Sequence, residues 1–270
     1  VNILVIGKDS YIGCKFAEYA CKHHQVKLVD SHNNNWQAVD FTGFDVLLHC
    51  AGIAHNPNAP QKLYYEINRD LTLAVAQKAK NEGVSRFIFL STMAVYGEIN
   101  GEINLTTPAK PTTPYGTSKW QAEQALQKIT DNHFSLCLIR PPMVYGPGCK
   151  GNFPRLVQLA LWLRIFPDLP NRRSMIYIES LCAFLYGLIN DETQKGIFLP
   201  QNRYYVSTVD LVRAINPRIR TIKIINPLFR FLAQRVSVFN KLFGDLYYTL
   251  QGNEPSYDHC DFVQSIQKSL

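Results

Sequence analysis

A hydroxyl, a phenol and an ammonium group set the first question about this chain. In the stretch PYGTSKWQAEQAL, Tyr115 and Lys119 are four residues apart, so a helix beginning at this point presents both on one face. Upstream, STMAVYG ends an apolar run and supplies Thr92. A phenol is a poor base at neutral pH, but a nearby ammonium favours its ionised form. With Thr92 holding a substrate oxygen, Tyr115 can take or give the proton of that oxygen. Tyr and Lys at this spacing are common on protein surfaces, so the pair needs company to carry meaning.

The company is at the start of the chain, where VNILVI runs into GKDSYIG. Gly7 suits a tight turn out of a strand, Gly13 lets a helix pack close to a sheet, and the amides of Ser10, Tyr11 and Ile12 stand where a pyrophosphate is received. Ser10 occupies the place of a middle glycine, which leaves a plain strand-to-helix turn as the competing reading. Asp30, about 20 residues beyond the loop, is placed to accept both ribose hydroxyls of an adenosine half. No arginine follows it nearby, so the expected cofactor is NAD, with NADP less favoured because a 2′-phosphate is repelled by Asp30. The cofactor's hydride chemistry and its positive nicotinamide ring complete the role given to Tyr115.

The elements that must position these groups follow from periodicity. Strands are expected at Ile3 to Ile6, Val26 to Val29, Val46 to Cys50, Arg86 to Ser91 and Phe134 to Ile139. Helices are expected at Tyr11 to Lys22, Gln61 to Asn81 and Tyr115 to Ile129, with the Asn33, Asn34, Asn35 run as a loop. This alternation implies an α/β protein, a Rossmann-like doubly wound parallel sheet with a smaller C-terminal substrate lobe. The expected division is residues 1–145 and about 175–200 for the NAD-binding domain, with about 146–174 and 201–270 for the lobe.

Several segments match in order and spacing: GKDSYIG with Asp30, LLHCAGIAH, Asn68 of EINRDLT, FIFLSTMAVYG, PYGTSKWQAEQAL, IRPPMVYGPG and NRRSMIYIES. Over essentially its whole length the chain resembles the extended short-chain dehydrogenase/reductase family, in its nucleotide-sugar epimerase and dehydratase group. The last segments look most like the branch that makes sugars for bacterial surface polysaccharides. The resemblance implies catalysis by Thr92, Tyr115 and Lys119, with Lys119 also bonding the nicotinamide ribose. It implies that Ala51 and Gly52 line the cofactor cleft, that Asp40 and Phe41 lie near the adenine, and that Asn68 supports the central helix. On the substrate side it implies Arg173 as a diphosphate-binding arginine and Asn152 as a sugar contact. Homodimerisation through the helix carrying Tyr115 is implied as well, although Trp120 and Leu126 on that helix suit a core equally.

Three departures stand out: Ser10 for glycine, Ser180 where the family usually has Asp, and Met143 where many members have Asn. The expected activity is 4-epimerisation of a nucleotide sugar, a UDP-hexose, through a 4-keto intermediate. Reduction of a nucleotide 4-keto sugar uses the same residues, and a non-catalytic NAD sensor is the rival of another class.

Composition excludes other classes. With 46% hydrophobic and 18% charged residues the chain reads as an ordinary globular protein, and a cytoplasmic location is expected on the following grounds. Its seven cysteines are odd in number and form no CxxC pair, and neither a leader nor a spanning segment is evident. The formal charge of +7 comes with no nucleic-acid motif. The seven histidines, including His32, His55 and His259, show no metal-ligand spacing; His55 after AGIA reads as a loop residue. From Ile215 to Phe243 the chain holds Arg218, Arg220, Lys223, Arg230, Arg235 and Lys241 without an acidic residue. Leu228, Leu232, Val236, Phe239 and Phe243 recur at helical spacing, so a lobe helix with a solvated basic face is expected, contact with a membrane surface being the lesser alternative. Phe229, Phe231 and Phe239 are expected in the core.

Overall fold

The computed structural model describes residues 1–54, 59–250, 256–258 and 260–270, apart from the side chains of residues 33, 34, 233, 234, 237 and 238; His55 and His259 lie outside the described residues. Elements are numbered in chain order. The chain divides into two compact units, one made of residues 1–98, 108–141 and 181–200 and the other of residues 99–107, 142–180 and 201–270.

The first unit contains β1 (Asn2–Ile6), α1 (Tyr11–Ala20), β2 (Gln25–Val29), β3 (Val46–His49), α2 (Gln61–Tyr65), α3 (Leu71–Asn81), β4 (Arg86–Leu90), α4 (Pro114–Ile129), β6 (Ser135–Ile139), the part of α6 (Ile178–Asn190) from Leu181 onward, and β10 (Gly196–Phe198). Six strands form one sheet in the order β10-β6-β4-β3-β1-β2, every pair parallel. This is the α/β doubly wound arrangement expected from the alternating pattern. Strands β3 and β4 are buried along their whole length, as a parallel sheet covered on both faces requires.

Because β1 lies between β2 and β3, the strand order reverses at the β1/β3 boundary, and the crevice beyond their carboxyl ends is where such sheets bind ligands. The sheet ends at β2. The next segment, His32–Ala38, is a 3-10 helix rather than a loop or a further strand. One apolar cluster joins Leu4, Ile6, Leu47, Phe87 and Leu138 of the strands to Val75, Ala79 and Leu126 of the helices. Between α2 and α3 the single expected helix is interrupted by a π-turn, Glu66–Asp70, which contains the buried Asn68.

The second unit contains β5 (Gly101–Ile103), β7 (Met143–Tyr145), α5 (Asn152–Trp162), β8 (Ile165–Pro167), β9 (Met175–Tyr177), α7 (Thr208–Ile215), β11 (Arg220–Ile222), α8 (Asn226–Arg235), α9 (Ser237–Phe243), β12 (Leu246–Tyr248) and α10 (Phe262–Lys268). Its strands pair in twos: β5 with β12, β7 with β9, β8 with β11. The basic segment forms two helices, separated at Val236, whose backbone is extended (φ −123°). Phe229 and Phe239 pack with the buried Phe243 but are themselves only half-buried. Phe231 departs from the core place expected of it: it is half exposed. All seven cysteines are free thiols.

Candidate active site

Helix α4 starts where the sequence gives it a cap. Thr113 accepts a hydrogen bond from the Gly116 amide at 3.1 Å and Pro114 fills the first helical position. That start fixes Tyr115 in the first turn, and its phenol is hydrogen-bonded to Thr92. Thr92 itself caps the short 3-10 turn Met93–Tyr96, accepting from the Ala94 amide at 3.1 Å. One helical turn beyond Tyr115, the buried Lys119 donates from Nζ to the Leu90 carbonyl at 2.8 Å and lies 4.5 Å from the centre of the Phe89 ring. Thr92, Tyr115 and Lys119 are thus gathered at the carboxyl end of β4.

Electrostatics depart from expectation at the phenol. Burial pushes Tyr115 above its ordinary value, the Thr92 hydrogen bond opposes this, and neighbouring Tyr64, with ring centre 6.4 Å away, adds to the rise. In the free protein burial thus keeps Tyr115 as a phenol, while the Lys119 ammonium bonds a backbone carbonyl. Burial brings Lys119 down to about 8, with Cys50 and Glu123 working in the other direction.

The first loop shows how Ser10 replaces glycine. Gly7 has φ +124°, and a Cβ there would lie 2.8 Å from the Ala51 amide nitrogen, so no other residue fits that turn. Ser10 is the N-cap of α1 and its hydroxyl is turned back to accept from the Gly13 amide at 3.3 Å. The helix start at Tyr11 and Ile12 keeps its positive end toward the crevice. At Gly13 a Cβ would lie 2.9 Å from the Gly7 carbonyl oxygen, which is the close packing expected of the third glycine position.

Across the crevice, Ala51 is buried and Gly52 exposed. A Cβ on Gly52 would meet Asn68 Oδ1 at 2.9 Å and Lys119 Nζ at 3.1 Å. Asn68 clamps this strand end, accepting from the Ile53 amide at 2.9 Å and donating to the Ile53 carbonyl and to Ser118 Oγ, each at 3.0 Å. Ser118 donates in turn to the Tyr115 carbonyl at 2.9 Å, so Asn68 ties the crevice floor to α4.

Asp30 directly follows β2, and its carboxylate accepts from the His32 amide at 2.8 Å, which holds it below its ordinary value and therefore charged. His32 Nδ1 lies 2.9 Å from Asp30 and 3.1 Å from Asp9. These three form an exposed cluster with ligand-like spacing that histidine spacing alone did not reveal, and the bonds describe a turn. Asp40 binds the Thr42 amide at 2.8 Å. Phe41 is wholly buried in the core and its amide donates to Glu82 at 2.7 Å.

A buried ion pair behind these residues was not anticipated. Arg140, the residue after β6, donates to Glu123 at 2.5 and 3.0 Å and to the Tyr96 hydroxyl at 2.8 Å, while Ser91 donates to the same carboxylate. The Arg140 guanidinium lies over the ring of the half-buried Trp120, and Leu126 is in the core. Glu123 continues the Tyr115, Lys119 spacing by another four residues, which was the available signal.

In the second unit, Asn152 opens α5 and is exposed. Arg173 is half-buried, its guanidinium donating to the Gly244 carbonyl at 3.1 Å; burial lowers it from its ordinary value and Asp245 opposes. Ser180, the departure from an expected acid, donates to Asp258 at 2.7 Å. A distant carboxylate therefore stands beside that position.

A glycine turn at the switch point of a doubly wound sheet, with a hydroxyl, phenol and ammonium beside it, defines a dinucleotide-binding α/β protein. The chain belongs to the NAD dependent epimerase/dehydratase family, a family of enzymes, whose model matches residues 2–198. It is similar to a UDP-glucose 4-epimerase of Vibrio cholerae, 34% identical over 182 residues, covering 63% of this chain and 56% of that protein. It is also similar to the N-acetyl-alpha-D-glucosaminyl-diphospho-ditrans,octacis-undecaprenol 4-epimerase of Escherichia coli O157:H7, 26% identical over 272 residues, covering 91% of this chain and 82% of that one. The chain thus spans little more than half of the first relative's length. In fold it resembles the UDP-glucuronic acid 4-epimerase of Bacillus cereus solved in complex with NAD, with a TM-score of 0.76 at 16% identity over 100% of this chain and 97% of that one.

Proposed function

We propose that the chain is an NAD-dependent 4-epimerase of a sugar carried on a diphosphate, with a UDP-hexose as the first candidate. One observation carries the reading: the Tyr115 phenol is hydrogen-bonded to Thr92 while Lys119 is buried one turn away against Gly52. The residues fit NAD. Gly7 and Gly52 leave backbone where a Cβ would collide, the start of α1 offers amides at Tyr11 and Ile12, and the charged Asp30 suits ribose hydroxyls and repels a 2′-phosphate.

Bound NAD supplies a reversible hydride acceptor at the sugar carbon. Thr92 holds the 4-hydroxyl, and Tyr115 accepts its proton and later returns it. Because burial holds the free phenol protonated, Tyr115 must first release its own proton to solvent, which a positive charge alongside would favour, and Lys119 fixes the geometry from the same helix face. On the substrate side Arg173 grips the diphosphate and Asn152 touches the sugar. Homodimerisation through α4 and the long helix before it remains part of this reading. The Escherichia coli relative supports a second carrier, a polyprenyl diphosphate in place of the nucleotide.

Incubation with UDP-hexoses, UDP-4-keto sugars and a polyprenyl-diphosphate sugar, with and without NADH, tests both carrier and reaction. Epimerisation without added cofactor and copurification of NAD are expected. A strict need for NADH with a 4-keto sugar would make the protein a reductase, and no conversion of any substrate would favour a sensor. Tyr115→Phe is expected to lower turnover by about 100-fold or more while NAD binding, measured by equilibrium dialysis, stays nearly unchanged.

A further inference from the structure

The second unit has an exposed face that the proposed chemistry does not use. Ile224, Leu228 and Phe231 are 88%, 57% and 51% exposed. Leu228, Phe231 and Arg235 recur every three or four residues, one stripe on α8, and Ile224 stands in the turn just before the helix. The opposite side of α8 is already satisfied, since the Phe229 ring meets Phe243 at 5.3 Å and Phe239 at 5.6 Å. The stripe is therefore surplus to the packing of the helix.

A second apolar corner is tied to it through backbone pairing. Trp162, 80% exposed, ends α5, and the exposed Ile165 stands opposite Arg220 in the β8–β11 pair. The Arg220 amide donates to the Arg164 carbonyl at 3.0 Å, and Asn226, which begins α8, donates to the Asp168 carbonyl at 2.6 Å. Arg164, Arg218, Arg220, Lys223 and Arg230 are all exposed, and no acidic residue occurs between Arg213 and Asp245.

We propose that this face docks on an anionic lipid bilayer. Aliphatic and aromatic side chains enter the boundary between headgroups and acyl chains, while the cations pair with lipid phosphates. A second copy of the chain is a poorer occupant, because a two-fold contact would set these cations against their own counterparts. Nucleic acid would use the cations but leave the aliphatic stripe without a role.

The test is sedimentation of the full chain with vesicles of phosphatidylglycerol and phosphatidylcholine in equal parts, compared with phosphatidylcholine alone. Sedimentation with the anionic vesicles only, weakening as salt rises, is expected. The exposed pair Lys223→Ala and Arg230→Ala is expected to lower partitioning by roughly 25-fold, about fivefold per cation. Ile224→Ser with Phe231→Ser is expected to weaken it also at low salt, with the circular dichroism spectrum of the folded protein retained in both variants. Failure to sediment with anionic vesicles, equal sedimentation with neutral ones, or undiminished binding by both variants overturns the proposal. So does a concentration-dependent dimer in ultracentrifugation that the Ile224, Phe231 variant abolishes.

Discussion

At the scale of single residues, the unforeseen Glu123–Arg140 pair has the clearest consequences. Glu123 favours the charged form of Lys119, which burial brings down to about 8. Replacing Glu123 by Gln removes that negative charge, so the Lys119 ammonium loses its proton at lower pH. The alkaline limb of the pH dependence of kcat should then move to lower pH; an unmoved limb would make Glu123 a packing residue only. The same variant leaves the buried Arg140 without its carboxylate, expected to cost about 3–5 kcal/mol in a urea titration. Tyr115 teaches a related lesson. Its spacing to Lys119 is visible in sequence, but the burial that raises its pKa is decided only by the fold.

At the scale of elements, two helix starts decide how the site is held. A Cβ on Gly116 would lie 2.5 Å from the Ala94 carbonyl oxygen, so α4 rests directly on the turn that carries Thr92. Gly116→Ala should separate the two, destabilising the protein by about 1–3 kcal/mol and lowering kcat, since misplacement by 1 Å is worth about 100-fold. Turnover measured beside a urea midpoint checks this, and an unchanged kcat would show that the close approach is not needed. At α1 the Ser10 hydroxyl caps the Gly13 amide. Ser10→Ala should cost about 1 kcal/mol of stability and Ser10→Gly only a few tenths, with NAD affinity in the glycine variant changing modestly by calorimetry. The strands and helices around both starts were legible because their apolar periodicity is local. The π-turn around Asn68 and the 3-10 segment in place of a loop were not, because both depend on what the backbone meets in the folded unit.

At the scale of the whole molecule, the two units put different chemistry on one chain. The first offers a crevice shaped by glycines and Asp30, and a ligand that binds only the folded form adds stability by mass action. NAD at about 100 times its Kd should add about 2.7 kcal/mol, raising Tm by several degrees in a thermal scan. Asp30→Ala should shrink that shift at the same NAD concentration, and an equal shift would remove Asp30 from the cofactor site. The second unit supplies Arg173 and the exposed basic face. No described helix is long and apolar enough to cross a membrane.

The amino-acid sequence by itself determined the alternating sheet-and-helix plan, the glycine turn, Asp30 and the Thr92, Tyr115, Lys119 set. Each is written in short-range spacing, and short-range spacing survives translation into helix turns and strand ends. Only the tertiary structure decided that Phe41 belongs to the core, that Glu123 pairs with Arg140, that Ser180 meets Asp258, and that Phe231 faces outward while Phe229 faces in. Those outcomes depend on which elements pack together: a buried charge must find its partner wherever the fold brings one, and a helix buries only the face that its neighbours cover.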